Sequence, residues 1–290
     1  MKPAPFEYVV PDSLTEVLEL VAKHGEDAKL LAGGQSIVPA MNFRLTQPSL
    51  IVDLNRLDEL NFINEGSNGV LKIGAMTRQR QLERDPVIKA KAPLLHETMP
   101  YIAHEQIRNR GTLGGSIAHA DPASEIPVII TALGGRILFQ SLKGQRWVAA
   151  DECFVGIFTT DIAPDEVLIE VEIPPLPDRT GWAFTEFARR RGDYALIGLA
   201  VVMTLDEEGV CLATKVVYLN AGDLPVNAEA ASSLLVGERP TDKLFEAVAE
   251  EAQMEINPTG DIHATEPYLR HLAKVLTIRA LNRAYERIAV

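Results

Sequence analysis

A proline-rich segment, PPLPDRT at residues 174–180, divides this chain into two parts with different patterns. Proline fixes φ and removes a backbone donor, so such a run interrupts regular structure and is typical of a linker. Before it, short apolar runs alternate with helical patterns, whereas three long β-type runs and then helices follow it. We therefore expect an α+β chain with one domain at residues 1–175 and a smaller α+β domain, an antiparallel sheet with helices, at 176–290.

The first part opens with a helix and a strand. Ser13 and Glu16 form the pattern of a capping box, and Gly25 stands where a left-handed helix end belongs. Further strands are predicted at residues 29–32, 50–53, 70–75 and 167–173. Helices are predicted at residues 78–84, 87–103 and 123–133, the second of them broken or kinked at Pro93.

The second part begins with the three long strands. They are predicted at residues 182–190, 196–205 and 210–220, with a hairpin turn at 206–209 between the last two. Helices are predicted at residues 228–235, 242–253 and 268–288.

Charge and cysteine content exclude several classes of function. The formal net charge of -12 over 290 residues disfavours a nucleic-acid partner, because an acidic surface repels phosphate backbones. The two cysteines, Cys153 and Cys211, are too few for a four-thiolate iron–sulfur cluster or a zinc site, and we expect no metal site here. No leader pattern opens the chain and no apolar run is long enough to span a membrane, so we expect a cytoplasmic protein.

Two glycine clusters carry the chemistry that the sequence suggests. The first is Ala32, Gly33, Gly34, Gln35 and Ser36, directly after a predicted strand, and the second is Thr112, Leu113, Gly114, Gly115 and Ser116. Glycine permits positive φ and close approach to a ligand, and successive N–H groups in such turns form an anion-binding concavity. Two such loops together are suited to a diphosphate.

The glycine pairs alone leave the kind of site open. A single Gly-Gly pair is more often a tight turn, and neither cluster fits G-x-G-x-x-G or G-x-x-x-x-G-K-[ST], so a Rossmann site and a P-loop both lose support. Ser36 and Ser116 lack the G-x-S-x-G context of a serine hydrolase. His96 and His104 lack metal-ligand spacing, His119 is a candidate neighbour of a ligand, and residues 189–191 are three arginines that read either as a solvated run or as a contact to an acidic partner or phosphates.

Longer segments resemble one family throughout the chain. The opening FEYVVPDSLTEVLELVAKHGEDAKLLAGGQS, then IGAMT at 73–77, QIRNRGTLGGSIAHADPASEIP at 106–127 and RRRGDYAL at 189–196 follow one another in the family's order. They resemble the FAD-binding subunit of molybdenum hydroxylases, the relatives of carbon monoxide dehydrogenase and xanthine dehydrogenase. The resemblance implies a two-part FAD-binding domain of the vanillyl-alcohol-oxidase or PCMH type.

The resemblance also implies roles for individual residues. The two glycine clusters would hold the FAD diphosphate, and Glu125, with Asp121 nearby, would contact the ribose or adenosine end. Leu168 would touch the flavin region, and Tyr194 would stack near the isoalloxazine ring. Relatives usually have aspartate where this chain has Glu125, histidine in place of Gln35 and asparagine in place of Ser116. Glu125 is thus a longer substitute for the usual aspartate, whereas Gln35 and Ser116 keep a hydrogen-bonding side chain, so we expect FAD binding to survive with a shifted flavin potential.

The implied function is electron transfer inside a complex. A large molybdopterin subunit would oxidise the substrate, two [2Fe–2S] clusters on a small subunit would relay electrons, and FAD on this chain would pass them to an external acceptor, with no catalytic acid or base here. A dimer of heterotrimers is the expected assembly. Two alternatives remain open: a free-standing PCMH-type flavoenzyme and a non-catalytic interaction protein that kept the fold.

Overall fold

The computed structural model describes residues 2–288 and begins with a small parallel sheet. Its strands lie in the order β1, β3, β2, and α1 and α2 accompany them. The bounds are β1 Glu7–Val9, α1 Leu14–His24, β2 Ala28–Leu31, α2 Ile37–Asn42 and β3 Leu50–Asp53. Ser13 caps α1 through its hydroxyl, as predicted, but the Glu16 carboxylate accepts from Asp12 N–H and not from Ser13. The helix, strand and glycine loop therefore follow in the expected order.

A five-stranded antiparallel sheet stands next to this layer. Its order is β4, β5, β10, β6, β7, and a two-stranded hairpin, β8 with β9, lies outside it. The bounds are β4 Ile63–Glu65, β5 Leu71–Gly74, β6 Arg136–Ser141, β7 Gly144–Ala149, β8 Phe154–Gly156, β9 Thr159–Thr160 and β10 Val167–Ile173. The sequence predicted β5 and β10 but not the β6–β7 hairpin, whose two turn residues, 142 and 143, lead into Gly144 with a positive φ of 142°.

Seven short helices connect these strands. They are α3 Gln79–Arg84, α4 Pro86–Lys91, α5 Pro93–Thr98, α6 Glu105–Arg108, α7 Leu113–His119, α8 Glu125–Ala132 and α9 Ala150–Cys153. The helix predicted across residues 87–103 is indeed interrupted at Pro93, and α5 starts there because proline suits the first helical position. It also ends early, at Thr98, where a short 3₁₀ turn, Met99–Tyr101, takes over.

After the proline-rich segment the chain forms an antiparallel sheet covered by helices. The sheet order is β11, β12, β13, β14. The bounds are β11 Thr180–Ala188, β12 Ala195–Leu205, β13 Cys211–Leu219, β14 Val226–Asn227, α10 Glu229–Ser233, α11 Asp242–Glu255 and α12 Glu266–Ile288. The turn at 206–209 joins β12 to β13 as predicted, with Gly209 at a φ of 80°. Helices α11 and α12 bury Phe245, Val248 and Leu281 against the sheet.

Helix α8 links the two parts of the molecule. All eight of its residues are buried, which is unusual for so short a helix and means that it has no solvent-facing side. At one end, Asn220 N–H donates to the carbonyl of Pro122 at 2.7 Å, and near the other, Lys215 Nζ donates to the carbonyl of Thr131 at 3.2 Å. Because both donors come from β13 or the residue after it, α8 is fixed to the second sheet at both ends.

Candidate functional site

The two glycine clusters meet in the fold. The first follows β2, and the second forms the first turn of α7. A Cβ atom added to Gly33 would lie 2.4 Å from the carbonyl oxygen of Arg110, and one added to Gly115 would lie 3.5 Å from the Cβ of Ala32. The absence of a side chain at Gly33 is therefore what lets the two segments pack together. The structure brings the two predicted clusters into one site.

The first cluster presents free backbone donors. Within residues 2–288, the amides of residues 33–36 donate to no protein acceptor. Gly34 has a φ of 74°, which turns the chain, and the Gln35 side chain donates to the carbonyl of Gly33 at 2.9 Å, so it braces the loop from within. Consecutive amides pointing out of such a turn form a concavity for an anion. This half of the site fits a diphosphate group.

The second cluster differs from the prediction, because four of its five amides are already bonded within the protein. The bonds run from Leu113 to Thr77 O at 3.0 Å, Gly114 to Ala75 O at 2.8 Å, Gly115 to Thr112 Oγ1 at 3.0 Å and Ser116 to Thr112 O at 3.2 Å. Neither Gly114 nor Gly115 has positive φ. Their role is close packing, since a Cβ on Gly114 would lie 2.6 Å from the Cβ of Ala75. What this cluster offers a ligand is the amide of Thr112, which donates to no protein acceptor within residues 2–288, and the hydroxyls of Thr112 and Ser116, the latter 3.0 Å from the Ser124 hydroxyl.

A polar network that the sequence did not reveal supports the first cluster. Asn55 donates from its side chain to the carbonyl of Ala32 at 2.9 Å, and it accepts from Arg78 at 2.5 Å. Asp53 accepts from the Asn55 backbone at 2.8 Å and from the Tyr8 hydroxyl. Burial raises the pKa of Asp53, but these hydrogen bonds outweigh burial and hold it below its ordinary value. A signal existed: β2 and β3 are parallel neighbours, so the residues that follow them share one edge.

Acidic groups gather at the start of α8. Glu125 is only 7% exposed, and burial, with a contribution from Asp121, raises its pKa to about 7. Asp121 accepts from the backbone of Ala123 at 2.9 Å and so shapes the turn before the helix. Glu186 on β11 faces the same region: its Oε2 is buried without a hydrogen-bond partner, and burial and then Glu125 raise its pKa to about 8. Nothing in the sequence marked Glu186, because its burial depends on tertiary packing.

The remaining predicted residues occupy different environments. Leu168 is 5% exposed in β10 and packs in the main core. Tyr194 is 72% exposed on the loop between β11 and β12. His119 is half-buried with its ring 5.0 Å from that of Phe158, and burial, partly opposed by Asp121, lowers its pKa. Of the three arginines, Arg189 lies 2.9 Å from His263 and the other two are exposed.

The buried carboxyls predict a pH-dependent stability. Both have pKa values raised from 4.5, so between about pH 4.5 and 8 the folded chain holds more protons than the unfolded chain, and stability falls as pH rises through that window. We expect Glu186→Gln to reduce this fall and to raise the melting temperature at the alkaline end, because the amide carries no charge to bury beside Glu125. Thermal melts across this pH range measure it. Glu208→Gln, in the 206–209 turn, is the matched control, because Glu208 is exposed. If the melting temperature falls with pH equally steeply in Glu186→Gln and in wild type, the raised pKa of Glu186 is contradicted.

Two structural absences bear on metal and membrane chemistry. Across the residues that the structure describes, no three His, Cys, Asp or Glu side chains come together so as to hold a metal ion. In the same range, none of the helices is both long and apolar enough to cross a membrane.

Both cysteines are buried free thiols, and burial raises the pKa of Cys153 to about 12 and that of Cys211 to about 11.

Comparison with known proteins identifies the family. Residues 4–176 match the FAD binding domain in molybdopterin dehydrogenase, and residues 182–284 match the CO dehydrogenase flavoprotein C-terminal domain. These two matches, in this order along the chain, place it among the FAD-binding subunits of oxidoreductases. The chain belongs to the family of FAD-binding subunits of molybdenum hydroxylases, as its sequence motifs predicted.

Individual relatives cover the whole chain. The 6-hydroxypseudooxynicotine dehydrogenase complex subunit alpha of Paenarthrobacter nicotinovorans is 41% identical over 99% of this chain and 97% of its own length. A chain of the carbon monoxide dehydrogenase of Hydrogenophaga pseudoflava, solved without the Mo-pyranopterin moiety of its cofactor, superposes with a TM-score of 0.96 at 37% identity, covering 99% of each chain. Quinoline 2-oxidoreductase from Pseudomonas putida 86 gives a TM-score of 0.94 at 36% identity, covering 100% of each chain. The predicted α+β fold class is confirmed by this similarity.

Proposed function

We propose that this chain carries FAD as the electron-exit subunit of a molybdenum hydroxylase complex. The observation that supports it most is the row of free amides at residues 33–36, held against the second glycine cluster. A diphosphate needs several fixed donors at close range, and backbone amides supply them without side-chain entropy. The residues present therefore fit the group that the family binds.

Each part of the site has a proposed role. The amides of Gly33, Gly34, Gln35 and Ser36 would donate to phosphate oxygens beside Ala32. From the second cluster, the hydroxyls of Thr112 and Ser116 would add donors, while Leu113, Gly114 and Gly115 keep the helix start close to the first loop. The two clusters would thus act differently: the first donates from four backbone amides and the second mainly from its side chains.

The cofactor's two ends are assigned to other residues. Asp121 and Glu125 would face the ribose or adenosine end, and Tyr194, on its exposed loop, would reach the isoalloxazine region. Leu168, buried in β10, would support the flavin region from the core side. We propose residues 1–175 as the FAD-binding domain and residues 176–290 as the C-terminal domain. Bound FAD would supply the transfer of electrons from a partner to an external acceptor.

The partners are proposed from what this chain lacks and from its relatives. Two buried cysteines hold no iron–sulfur cluster, so the electron donor must lie on another chain. One relative is named as a subunit of a dehydrogenase complex and another as the caffeine dehydrogenase subunit beta of Pseudomonas sp. strain CBB1. We propose a small [2Fe–2S] subunit and a large molybdopterin subunit, assembled as a dimer of heterotrimers. A cytoplasmic location is part of the proposal, because unpaired thiols suit a reducing compartment.

Purification of a tagged chain from its native host tests this function. We expect the chain to be yellow, to release FAD on denaturation, and to bring down two further polypeptides with iron and molybdenum. FAD content by fluorescence and metal content by mass spectrometry are the measurements. A folded chain that carries FAD without iron or molybdenum would favour the free-standing flavoenzyme. A colourless chain that takes up no FAD would overturn the proposal.

A further inference from the structure

The segment before the second glycine cluster closes over the first one. The carbonyl oxygen of Arg110 and the Cα of Gly111 lie where a side chain on Gly33 would otherwise stand, at 2.4 and 2.8 Å from its ideal Cβ position. Arg78 fixes this arrangement by donating to the carbonyl of Arg110 and to the side chain of Asn55. The backbone of Arg110 is therefore a wall of the site in which the free amides lie.

Two arginines converge on this wall with little opposing charge. The pKa of Arg78 is lowered from its ordinary value, first by burial and then by the positive charge of Arg110. Asp53 is the acid near both of them, and Tyr8 and Asn55 already donate to its oxygens. Like charges held together beside unused donors indicate a place for an anion.

The donors of the two arginines are used differently. Arg78 is half-buried, and its guanidinium donates to the carbonyl of Arg110 and to the side chain of Asn55. Arg110 is exposed, and within residues 2–288 its side chain makes no hydrogen bond and no ion pair. All five of its N–H donors remain available, in the planar arrangement that matches phosphate oxygens.

We infer that Arg110 is a diphosphate-binding residue whose guanidinium pairs with the phosphate oxygens held by the amides of residues 33–36. This inference rests on the proposed FAD function and adds a side-chain cation to a site otherwise built from amides and hydroxyls. It makes Arg110 a determinant of specificity: compounds that contain the diphosphate gain from it, and riboflavin, which has no phosphate, does not.

Affinity titrations of the full chain, freed of flavin, distinguish a contact to the diphosphate from an effect on the whole flavin site or on folding. The variants are Arg110→Gln, which removes the charge, and Arg110→Lys, which keeps the charge but loses the paired N–H donors of the guanidinium. Arg239→Gln is the matched control, since Arg239 is also exposed and its side chain makes no hydrogen bond and no ion pair within the described range. Each protein is titrated with FAD, ADP and riboflavin at low and high ionic strength, and its thermal melt is recorded.

We expect Arg110→Gln to weaken FAD and ADP binding about two- to fivefold at low ionic strength, the scale of an exposed charged contact. High ionic strength should narrow the difference, Arg110→Lys should recover part of the loss, and riboflavin binding should not change. Unchanged FAD binding in Arg110→Gln overturns the inference but leaves the proposed function standing. An equal loss for riboflavin also overturns it, because the effect is then not on phosphate. A wild-type chain that binds none of the three overturns the proposed function itself.

Discussion

FAD binding is expected to weaken by about a hundredfold or more in Gly33→Ala. The added Cβ would lie 2.4 Å from the carbonyl oxygen of Arg110 and 2.9 Å from its carbonyl carbon, which are backbone atoms that no rotamer change can move aside. The first loop must therefore shift, and the amides of residues 33–36 would no longer be placed to donate to both phosphates. Losing two hydrogen bonds to a charged group corresponds to an affinity loss of about a hundredfold or more. Flavin fluorescence quenching measures this loss.

A control at another glycine separates this effect from the substitution itself. Gly156 has an ordinary φ, and a Cβ there would have its nearest neighbour, the Cβ of Thr159, at 3.9 Å. Gly156→Ala should bind FAD like wild type. Far-UV circular dichroism shows whether Gly33→Ala stays folded. A folded Gly33→Ala chain with wild-type FAD affinity would show that the diphosphate does not lie on this loop.

The second large effect is expected in the C-terminal part, from Gly181→Ala. Gly181 lies on β11 where α12 crosses it, and an added Cβ would stand 1.8 Å from the carbonyl oxygen of Ala284. Helix α12 would have to lift from the sheet, which loosens the core that it shares with β11 and β12. Overpacking of this kind costs about 3 kcal/mol. That cost corresponds to a melting temperature lower by roughly 5–10 °C.

Calorimetry of the full chain measures this change, again with Gly156→Ala as the control. The proposed diphosphate site is built by residues of the first part, so the FAD affinity of the folded Gly181→Ala chain should stay close to wild type at low temperature. A melting temperature equal to that of the control would mean that α12 does not pack as closely on β11 as the structure shows.

Local pattern predicted much of this fold. The capped helix α1 and the three long strands of the second sheet appeared within a few residues of their predicted bounds, because periodicity and turn residues determine them locally. The β6–β7 hairpin was missed. Its turn, at Leu142 and Lys143, lacks the Asn-Gly or Asp-Gly pair that marks most tight hairpins.

The site was predictable in composition but not in detail. Both glycine clusters were found because their motifs are local, yet only the structure shows that the second one starts a helix whose amides are occupied. The hydroxyl of Thr112, an N-cap residue three positions before Gly115, was the available signal for that helix. Asn55 and Glu186 were missed for a different reason. Each interacts with a residue distant in sequence, Ala32 and Glu125 respectively, and such a contact leaves no local pattern in one sequence.

The two parts of this chain are not interchangeable modules. A protein cut at the proline-rich segment would leave α8 attached to the first part, and the apolar side of α8 that now packs on β12 and β13 would face water. Such a fragment should self-associate through this exposed apolar surface. A chimera that joins this first part to a different second part should fold only if the new sheet offers α8 a complementary apolar surface.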